Sequence, residues 1–336
     1  MPATDPICTP CDRRMVAGST ASPYNAAVVA NAARGPSRTM SELHPIVAVT
    51  GSSGAGTSSV KTAFERIFQR EGIDPAIIEG DSFHRYDRKE MDWEVEKAAL
   101  RGTTLTHFGP DGNLLGELET LFRSYSENAS GKQRYYVHTA KEARRLEAKP
   151  GTFTEWQPLP RDTDLLFYEG LHGGFVGEEA NIARFVDLLI GVVPIINLEW
   201  TQKINRDRAV RGYSAEAATQ MILRRMPDYV HYICPQFSRT DVNFQRIPTI
   251  DTSNPFTMGE IPTNDESLVV VHIANRRKIG PDYRYLLEML QGSFMSRPDT
   301  IVVPAGKMVF AMELLLNPVI ERTMERRDRA RKLSAA

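Results

Sequence analysis

The 336-residue chain contains only three cysteines, Cys8, Cys11 and Cys234. Cys8 and Cys11 form a lone CxxC pair, for which chance spacing is a simpler explanation than a metal or redox role. Three cysteines provide no disulfide framework for a chain of this length, which indicates a reducing compartment. We therefore expect the protein in the cytoplasm.

The chain also lacks a long apolar run and an excess of charge of either sign. The longest apolar stretch, Leu188 to Leu198, is interrupted by polar and helix-breaking residues and is far shorter than the roughly 20 residues of a membrane helix. Lysine and arginine total 41 and aspartate and glutamate 42, which gives a net charge of −1. The overall charge therefore does not attract nucleic acid. We expect neither a membrane nor a nucleic acid as partner.

A composition change divides the chain near residue 40. Residues 1–39 are rich in Ala, Pro, Ser, Thr and Arg and have no sustained apolar period, which predicts a disordered N-terminal extension. Its four arginines also occur in targeting peptides, but Asp5 and Asp12 weaken that interpretation, and a further alternative is that translation begins at Met40. We predict a single domain over residues 40–336, ending in a charged helix whose segment Glu321–Lys332 is a solvated face.

Strand and helix patterns alternate along residues 40–336. A helical apolar period follows the first strand and ends at Gly72, helices are predicted at about Glu199–Arg211 and Ala215–Met226, and residues 82–160 are interpreted as helices and excursions over the sheet edge. The predicted strands are Pro45–Val49, Ala76–Glu79, Leu165–Tyr168, Leu188–Leu198, Leu268–Ile273 and Thr300–Val303. This order predicts an α/β fold with a mixed but largely parallel sheet flanked by helices.

A glycine-rich segment directly follows the first strand and opens the next helix. It consists of Gly51, Ser52, Ser53, Gly54, Ala55, Gly56, Thr57 and Ser58. In this context glycines let successive N–H groups face a polyphosphate at a helix N-terminus, and Ser58 has the position whose hydroxyl reaches Mg²⁺. Thr57 stands where such loops usually carry lysine, so the missing positive charge must come from elsewhere. The alternative is a glycine-rich turn without a ligand.

Charged residues follow the second predicted strand. Asp81 is placed to orient an acceptor hydroxyl and take its proton, while His84, Arg85 and Arg88 suit an anionic group on that acceptor. Taken singly, Asp81 is better explained as a helix N-cap and His84 as a packing histidine. Their clustering at the end of a strand favours a site, because ligands of open α/β sheets bind there.

Two further segments carry candidate residues for binding Mg²⁺ and phosphate. The apolar strand at Leu165–Tyr168 ends in Glu169, the Walker B arrangement that places an acid beside Mg²⁺, although an ordinary end of a strand looks the same. Lys203, Arg206, Asp207, Arg208 and Arg211 lie on one predicted helix. We interpret that helix as a mobile lid whose basic groups replace the missing loop lysine. A solvated charged helix is the alternative.

Together these segments resemble the phosphoribulokinase family, in particular its bacterial form, over about Met40 to Pro318. The loop at 50–58 is similar to that form's own loop, including the absent lysine. The other matching stretches are Ile78–Arg85, Phe167–Gly173, Gly191–Trp200, Arg206–Ala209, Ile222–Met226, Asn243–Arg246 and Asp251–Phe256.

The resemblance implies a fold like that of nucleotide monophosphate kinases and transfer of the ATP γ-phosphoryl group to D-ribulose 5-phosphate in the Calvin cycle. It implies Asp81 as catalytic base, Ser58 and Glu169 at Mg²⁺, and His84, Arg88 and Arg211 at the sugar phosphate. Lys203, Arg206 and Asp207 would contact the nucleotide or the transition state.

The resemblance also implies a homo-oligomer activated by NADH and inhibited by AMP, with Arg225 at a position associated with that regulation. No cysteine lies near the phosphate loop, which argues against thioredoxin control. Two other functions stay open: a uridine or pantothenate kinase, which should lack the basic acceptor cluster, and a nucleotide-binding regulator without transfer chemistry.

Overall fold

A computed structural model describes residues 41–51, 57–193, 195–211, 214–255 and 260–334, without the side chains of residues 57, 58, 206–211 and 215. Its strands are β1 (Ile46–Gly51), β2 (Pro75–Glu79), β3 (Lys132–Gln133), β4 (Gln157–Pro158), β5 (Leu165–Gly170), β6 (Leu188–Val193), β7 (Val242–Pro248), β8 (Ser267–His272), β9 (Phe294–Arg297) and β10 (Thr300–Pro304). Its α-helices are α1 (Thr57–Glu71), α2 (Arg88–Leu100), α3 (Leu115–Asn128), α4 (Ala140–Arg145), α5 (Ile196–Arg211), α6 (Ala215–Asp228), α7 (Arg276–Ile279), α8 (Tyr283–Met289) and α9 (Met308–Ser334).

Eight strands form the central sheet, in the order β2-β5-β1-β6-β7-β8-β10-β9. The first five run parallel, and β8, β10 and β9 continue the sheet with antiparallel pairings. The predicted α/β class with a mixed, largely parallel sheet is thus confirmed. Strands β3 and β4 form a separate two-stranded sheet.

The inner parallel strands β1, β5 and β6 are buried on both faces over most of their length, which explains their uninterrupted apolar runs. All six residues of β1 are buried. On one face, Val47 and Val49 of β1 pack in a core with residues of α1 and α9. On the other face, Ile46 and Ala48 pack in a second core with residues of α3. The period-2 alternation of each strand therefore supplies both cores at once.

The structure corrects several details of the predicted elements. The stretch Leu188–Leu198 is a strand only as far as Val193, because α5 already begins at Ile196. Strands β7 and β9 and helices α7 and α8 were not predicted. The charged segment Glu321–Lys332 is not entirely a solvated face, since Arg327 is buried and its guanidinium contacts an Asp164 carboxylate oxygen at 2.5 Å.

The predicted N-terminal extension, with Cys8 and Cys11, lies outside the described residues. All the described residues fall within one compact unit, and the proposed boundary at residue 39 stays a prediction. Among the described helices, none combines the length and the hydropathy that crossing a bilayer requires.

Candidate active site

The predicted site residues follow neighbouring parallel strands. In the sheet, β5 lies between β2 and β1, and Glu79 of β2 is in register with Glu169 of β5. The carboxyl ends of β1, β2 and β5 therefore meet at one edge. Asp81 follows β2 there, Glu169 is the penultimate residue of β5, and the predicted phosphate loop comes after β1 in the sequence. That edge is where open α/β sheets bind ligands.

Asp81 lies in a short 3-10 helix, Gly80–Phe83, that directly follows β2. The N-cap of α2 is Asp87, which forms a capping box with Glu90, so the alternative explanation of Asp81 as the N-cap of that helix is wrong. The Asp81 side chain is 44% exposed, and its two carboxylate oxygens lie 3.3 Å from His84 Nε2 and 3.5 Å from His138 Nε2. Asp81 is thus a carboxylate held between two imidazoles.

The surroundings of Asp81 favour its ionised form. Loss of solvent around the carboxyl opposes ionisation, but the hydrogen bond and positive charge of His84, with smaller contributions from His138 and His107, outweigh it. They hold the pKa of Asp81 well below its ordinary value. A carboxylate that stays charged can accept a hydrogen bond from a hydroxyl at any physiological pH.

His84 is buried at 8% exposure, and its ring stacks on that of His107, with centroids 4.0 Å apart and planes at 22°. Burial, followed by the charges of His84 and Arg225, lowers the pKa of His107 well below its ordinary value. His107 is therefore the neutral member of the stacked pair. The sequence prediction missed it, although a histidine beside a Gly-Pro turn is a visible signal.

Arg85 and Arg88 point in different directions. The Arg85 guanidinium donates to the carbonyls of Asp111 (3.1 Å) and Asn113 (2.9 Å), so it braces the loop before α3. Arg88 is exposed at the start of α2, and its backbone N–H donates to the carbonyl of Gly151 at 2.9 Å. Gly151 has φ +85° and an ideal Cβ there would lie 3.1 Å from Arg88 Cβ, so glycine permits this approach.

An extended segment that the sequence prediction missed lies along the Asp81 turn. Arg134 donates to the carbonyls of Ser82 (2.8 Å) and His84 (2.6 Å), and its guanidinium lies over the rings of Phe153 and Trp156. His138, four residues further on, reaches Asp81. Alternate residues of an extended chain share one face, and the alternation of Arg134, Tyr136 and His138 is the signal that would have found the segment.

Glu169 ends β5 on the face that α1 covers, because it alternates with Leu165 and Phe167, which belong to that core. Of the predicted phosphate loop, the structure describes Gly51 at the end of β1 and the backbone of Thr57 and Ser58 at the beginning of α1. Close approach of the strand ends requires glycine: an ideal Cβ on Gly80 would lie 2.8 Å from the Gly170 Cα and 2.6 Å from the Tyr168 hydroxyl.

The remaining predicted residues are placed only in part. Ser52, Ser53, Gly54, Ala55 and Gly56 lie outside the described residues, as do the side chains of Thr57, Ser58, Arg206, Asp207 and Arg211. Lys203 is half-buried on α5, on the same helix as Arg206, Asp207 and Arg211. Arg225 of α6 lies near enough to His107 for its charge to act on that histidine. Among the described residues, no cluster of three or more His, Cys, Asp or Glu side chains could hold a metal ion.

Known sequences match the chain over most of its length. The model of the phosphoribulokinase / uridine kinase family matches residues 46–253. The chromosomal phosphoribulokinase of Cupriavidus necator is 61% identical over 292 residues, which are 87% of this chain and 99% of that protein. The phosphoribulokinase of Nitrobacter vulgaris is 56% identical over 292 residues, covering 87% of this chain and 100% of that protein.

A solved structure agrees with the sequence matches. The phosphoribulokinase from Rhodobacter spheroides superposes with a TM-score of 0.79 at 52% identity, covering 86% of this chain and 100% of that one. The family model and the relatives span the same strands whose carboxyl ends carry Asp81 and Glu169. The chain belongs to the phosphoribulokinase / uridine kinase family.

Proposed function

We propose that this protein transfers the γ-phosphoryl group of ATP to the C1 hydroxyl of D-ribulose 5-phosphate, giving ADP and D-ribulose 1,5-bisphosphate. The observation that carries this proposal is the Asp81 carboxylate, held between His84 and His138 at the sheet edge where the phosphate loop begins. A base surrounded by imidazoles suits an acceptor that brings its own phosphate. The names of the relatives at 53–61% identity support the same substrate.

Asp81 orients the acceptor hydroxyl and takes its proton. Its lowered pKa makes it a weak base for a free alcohol, so proton transfer accompanies attack rather than preceding it. In a loose transition state the hydroxyl becomes acidic only as its oxygen bonds to phosphorus. The bond from the γ-phosphorus to the ADP oxygen then breaks, the new bond to the C1 oxygen forms, and the hydroxyl proton moves to Asp81.

The acceptor phosphate is assigned to His84, Arg88 and Arg211, with His138 added from the geometry. Arg88 is exposed beside Gly151, and His84 and His138 lie within hydrogen-bonding reach of the same carboxylate. Arg85 contributes by bracing the loop that follows it. The two arginines thus have different roles: Arg88 binds the acceptor phosphate and Arg85 holds the loop.

The nucleotide is assigned to the loop Gly51–Ser58 and to the lid residues Lys203, Arg206 and Asp207 on α5. Glu169 and Ser58 suit Mg²⁺, because a carboxylate on the α1 face and a hydroxyl at the start of α1 are oxygen donors, and this ion binds few protein groups besides substrate phosphates. When bound, Mg²⁺ neutralises charge on the β- and γ-phosphate oxygens.

Regulation and assembly belong to the same proposal. We assign NADH activation and AMP inhibition to a homo-oligomer in the cytoplasm, with Arg225 taking part in the response. The nearness of Arg225 to His107 supports this role, because it links α6 with the acceptor site. Sedimentation velocity, with and without NADH, measures the assembly, and a monomer that NADH does not stimulate would contradict this part.

The first experiment measures ATP consumption by the purified protein with Mg²⁺ and ribulose 5-phosphate, uridine, pantothenate or no acceptor. Turnover only with ribulose 5-phosphate is expected. Turnover with uridine or pantothenate would keep the kinase fold and reject the substrate, and nucleotide binding without any turnover would favour the regulator.

The second experiment tests the base. Asp81→Asn keeps the size of the side chain but cannot take a proton, so kcat should fall by at least about 100-fold. Asp87→Asn, which changes the half-buried N-cap of α2 to another good N-cap residue, is the matched control and should retain kcat within a few-fold. A fall of less than about tenfold in Asp81→Asn would reject Asp81 as the base.

A further inference from the structure

Asn113 is a buried amide with three polar partners. It is 2% exposed, follows the 3-10 turn Pro110–Gly112, and forms an isolated antiparallel bridge with His84. Its Nδ2 donates to the carbonyls of His107 (2.9 Å) and Gly109 (2.6 Å), and its Oδ1 lies 3.0 Å from His84 Nδ1. Both polar atoms of the amide group thus have partners: Nδ2 bonds to the loop and Oδ1 faces His84.

These partners fix which way the amide faces. If the amide were flipped, Oδ1 would meet two carbonyl oxygens, and three acceptors would be buried together without a proton. The observed orientation is the one in which both Nδ2 protons are donated. Oδ1 then accepts from His84, so His84 Nδ1 carries a proton.

A proton on Nδ1 determines what the other ring nitrogen must do. His84 Nε2 lies 3.3 Å from an Asp81 carboxylate oxygen. If Nε2 had no proton, two acceptors would face each other at this distance. A second proton therefore lies between Nε2 and Asp81, and the ring carries both.

We propose that Asn113 is a positioning residue that holds the proton on His84 Nδ1, so that His84 faces Asp81 and the acceptor phosphate as a cation. The stacked partner His107 is neutral, so its ring does not oppose this charge. The loop that carries Asn113 is tied to the turn by Arg85, and by the Leu114 N–H, which donates to the Phe83 carbonyl at 2.8 Å. Asn113 acts through His84 and does not touch the substrate.

The protonation of His84 can be read directly in the full protein. The chain has seven histidines, so isotopic labelling of histidine nitrogens and solid-state NMR near neutral pH resolve few signals. The His84 pair is assigned by its loss in His84→Gln. Two protonated nitrogens are expected. A neutral ring with a bare Nδ1 would overturn the proposal, whichever substrate the enzyme uses.

A matched pair of variants tests the role of the oxygen. Asn113→Asp and Asn113→Leu both remove the Nδ2 donors to the loop, but only Asp keeps an acceptor for His84 Nδ1. Asn113→Leu should lose the doubly protonated signal and raise KM for ribulose 5-phosphate about tenfold, because the acceptor phosphate would lose the nearby positive charge of His84. KM for ATP should stay within about twofold in both variants.

The kinetic arm rests on the proposed function, whereas the NMR arm does not. Asn113→Asp turns a second carboxylate oxygen toward the His107 and Gly109 carbonyls and should loosen the loop. It should still retain the doubly protonated His84, with a KM for ribulose 5-phosphate clearly below that of Asn113→Leu. Equal KM values and equal spectra in Asp and Leu would show that Asn113 only braces the loop. No turnover with ribulose 5-phosphate in the wild type would reject the proposed substrate and leave the NMR result to decide the role of Asn113.

Discussion

At the scale of single residues, His172 makes the stability of the fold depend on pH. The buried ring lies 3.1 Å from the Phe108 carbonyl through Nε2, and its backbone N–H donates to the Tyr168 hydroxyl at 3.3 Å. Burial lowers the pKa of His172 from 6.5 to about 4, and the charge of His84 acts in the same direction against the Phe108 carbonyl. The folded protein therefore keeps His172 neutral where the unfolded chain would protonate it.

The first prediction follows from the sign of that shift. The stability that His172 contributes is fully present above about pH 6.5 and is lost as the pH falls toward about 4, amounting to about 3 kcal/mol. His172→Gln keeps a donor for Phe108 and should lose correspondingly less stability over this range in urea unfolding. His231→Gln, at an exposed histidine, is the control and should behave as the wild type. Parallel pH curves for all three proteins would contradict the prediction.

Arg134 carries the second prediction. Arg134→Lys keeps the charge but loses the planar group that reaches two carbonyls and stacks on two rings. The free energy of unfolding should fall by about 1–3 kcal/mol, and KM for ribulose 5-phosphate should rise several-fold because the Ser82–His84 turn loosens. Arg123→Lys changes an exposed arginine 3.5 Å from Glu119 and should cost under about 1 kcal/mol. Equal losses of unfolding free energy in the two variants would mean that Arg134 does not stabilise the Ser82–His84 turn.

The predicted site residues that the structure brings together follow neighbouring strands within a few positions. Asp81 and Glu169 end neighbouring strands, so topology alone brought them together. Arg134 and His138 could not be found in that way, because they contact Asp81 and its turn across some fifty residues of chain whose path is set by loops. Asn113 was missed for a further reason: its role depends on the direction of one amide group, which no spacing encodes.

At the scale of elements, the sheet end opposite the site is held by a buried charge cluster. Asp241, directly before β7, is 3.1 Å from Asn275 Nδ2, accepts from the Leu189 N–H at 2.9 Å and lies 2.9 Å from Lys278 Nζ. Lys278 of α7 also donates to the Asp187 carbonyl before β6. One ammonium group thus joins the amino ends of two strands.

The third prediction concerns that cluster. Lys278→Met removes the ammonium group that lies 2.9 Å from the buried Asp241 carboxylate, so the free energy of unfolding should fall by about 3–5 kcal/mol, with little change in kcat. Arg284→Met breaks an exposed pair with Glu288 and should cost under about 1 kcal/mol. Denaturant unfolding measures both. A loss in Lys278→Met no larger than in the control would show that the cluster contributes no more than a surface pair.

The predicted elements are right where the apolar pattern fits only a strand or only a helix. They are wrong where the pattern fits both or is absent. The strands β1, β2 and β5 and the long helix α9 were predicted because their patterns are long and uniform. The stretch after Val193 was misassigned, because Ile195, Ile196 and Leu198 continue the apolar run of β6 although the chain has already turned into α5. Strand β9 was missed because it is a short edge strand with mostly exposed side chains, so it has no core period to detect.

At the scale of the whole molecule, the sheet separates two hydrophobic cores, and we expect one to contribute mainly to stability and the other also to the geometry of the site. One core joins α1 and α9 over the sheet and includes Leu316, which is fully buried. The other lies beneath the acceptor site, where the Phe122 ring packs edge-on against Tyr168 at 5.4 Å. The Tyr168 hydroxyl in turn fills the space between Gly80 and Gly170 and accepts from His172.

The last prediction separates these tasks. Leu316→Ala should lower the free energy of unfolding by about 2–5 kcal/mol and leave kcat unchanged at temperatures where the variant is folded, because Leu316 is buried in the core between the sheet and α9. Phe122→Leu should cost less stability, about 1–2 kcal/mol, yet lower kcat several-fold, because Tyr168 would no longer hold the ends of β2 and β5 that position Asp81 and Glu169. Calorimetry and steady-state kinetics on the same preparations compare the two. If kcat instead fell in proportion to lost stability in both variants, the sheet would transmit packing defects from either face, and the site would depend on the whole core rather than on the α3 side.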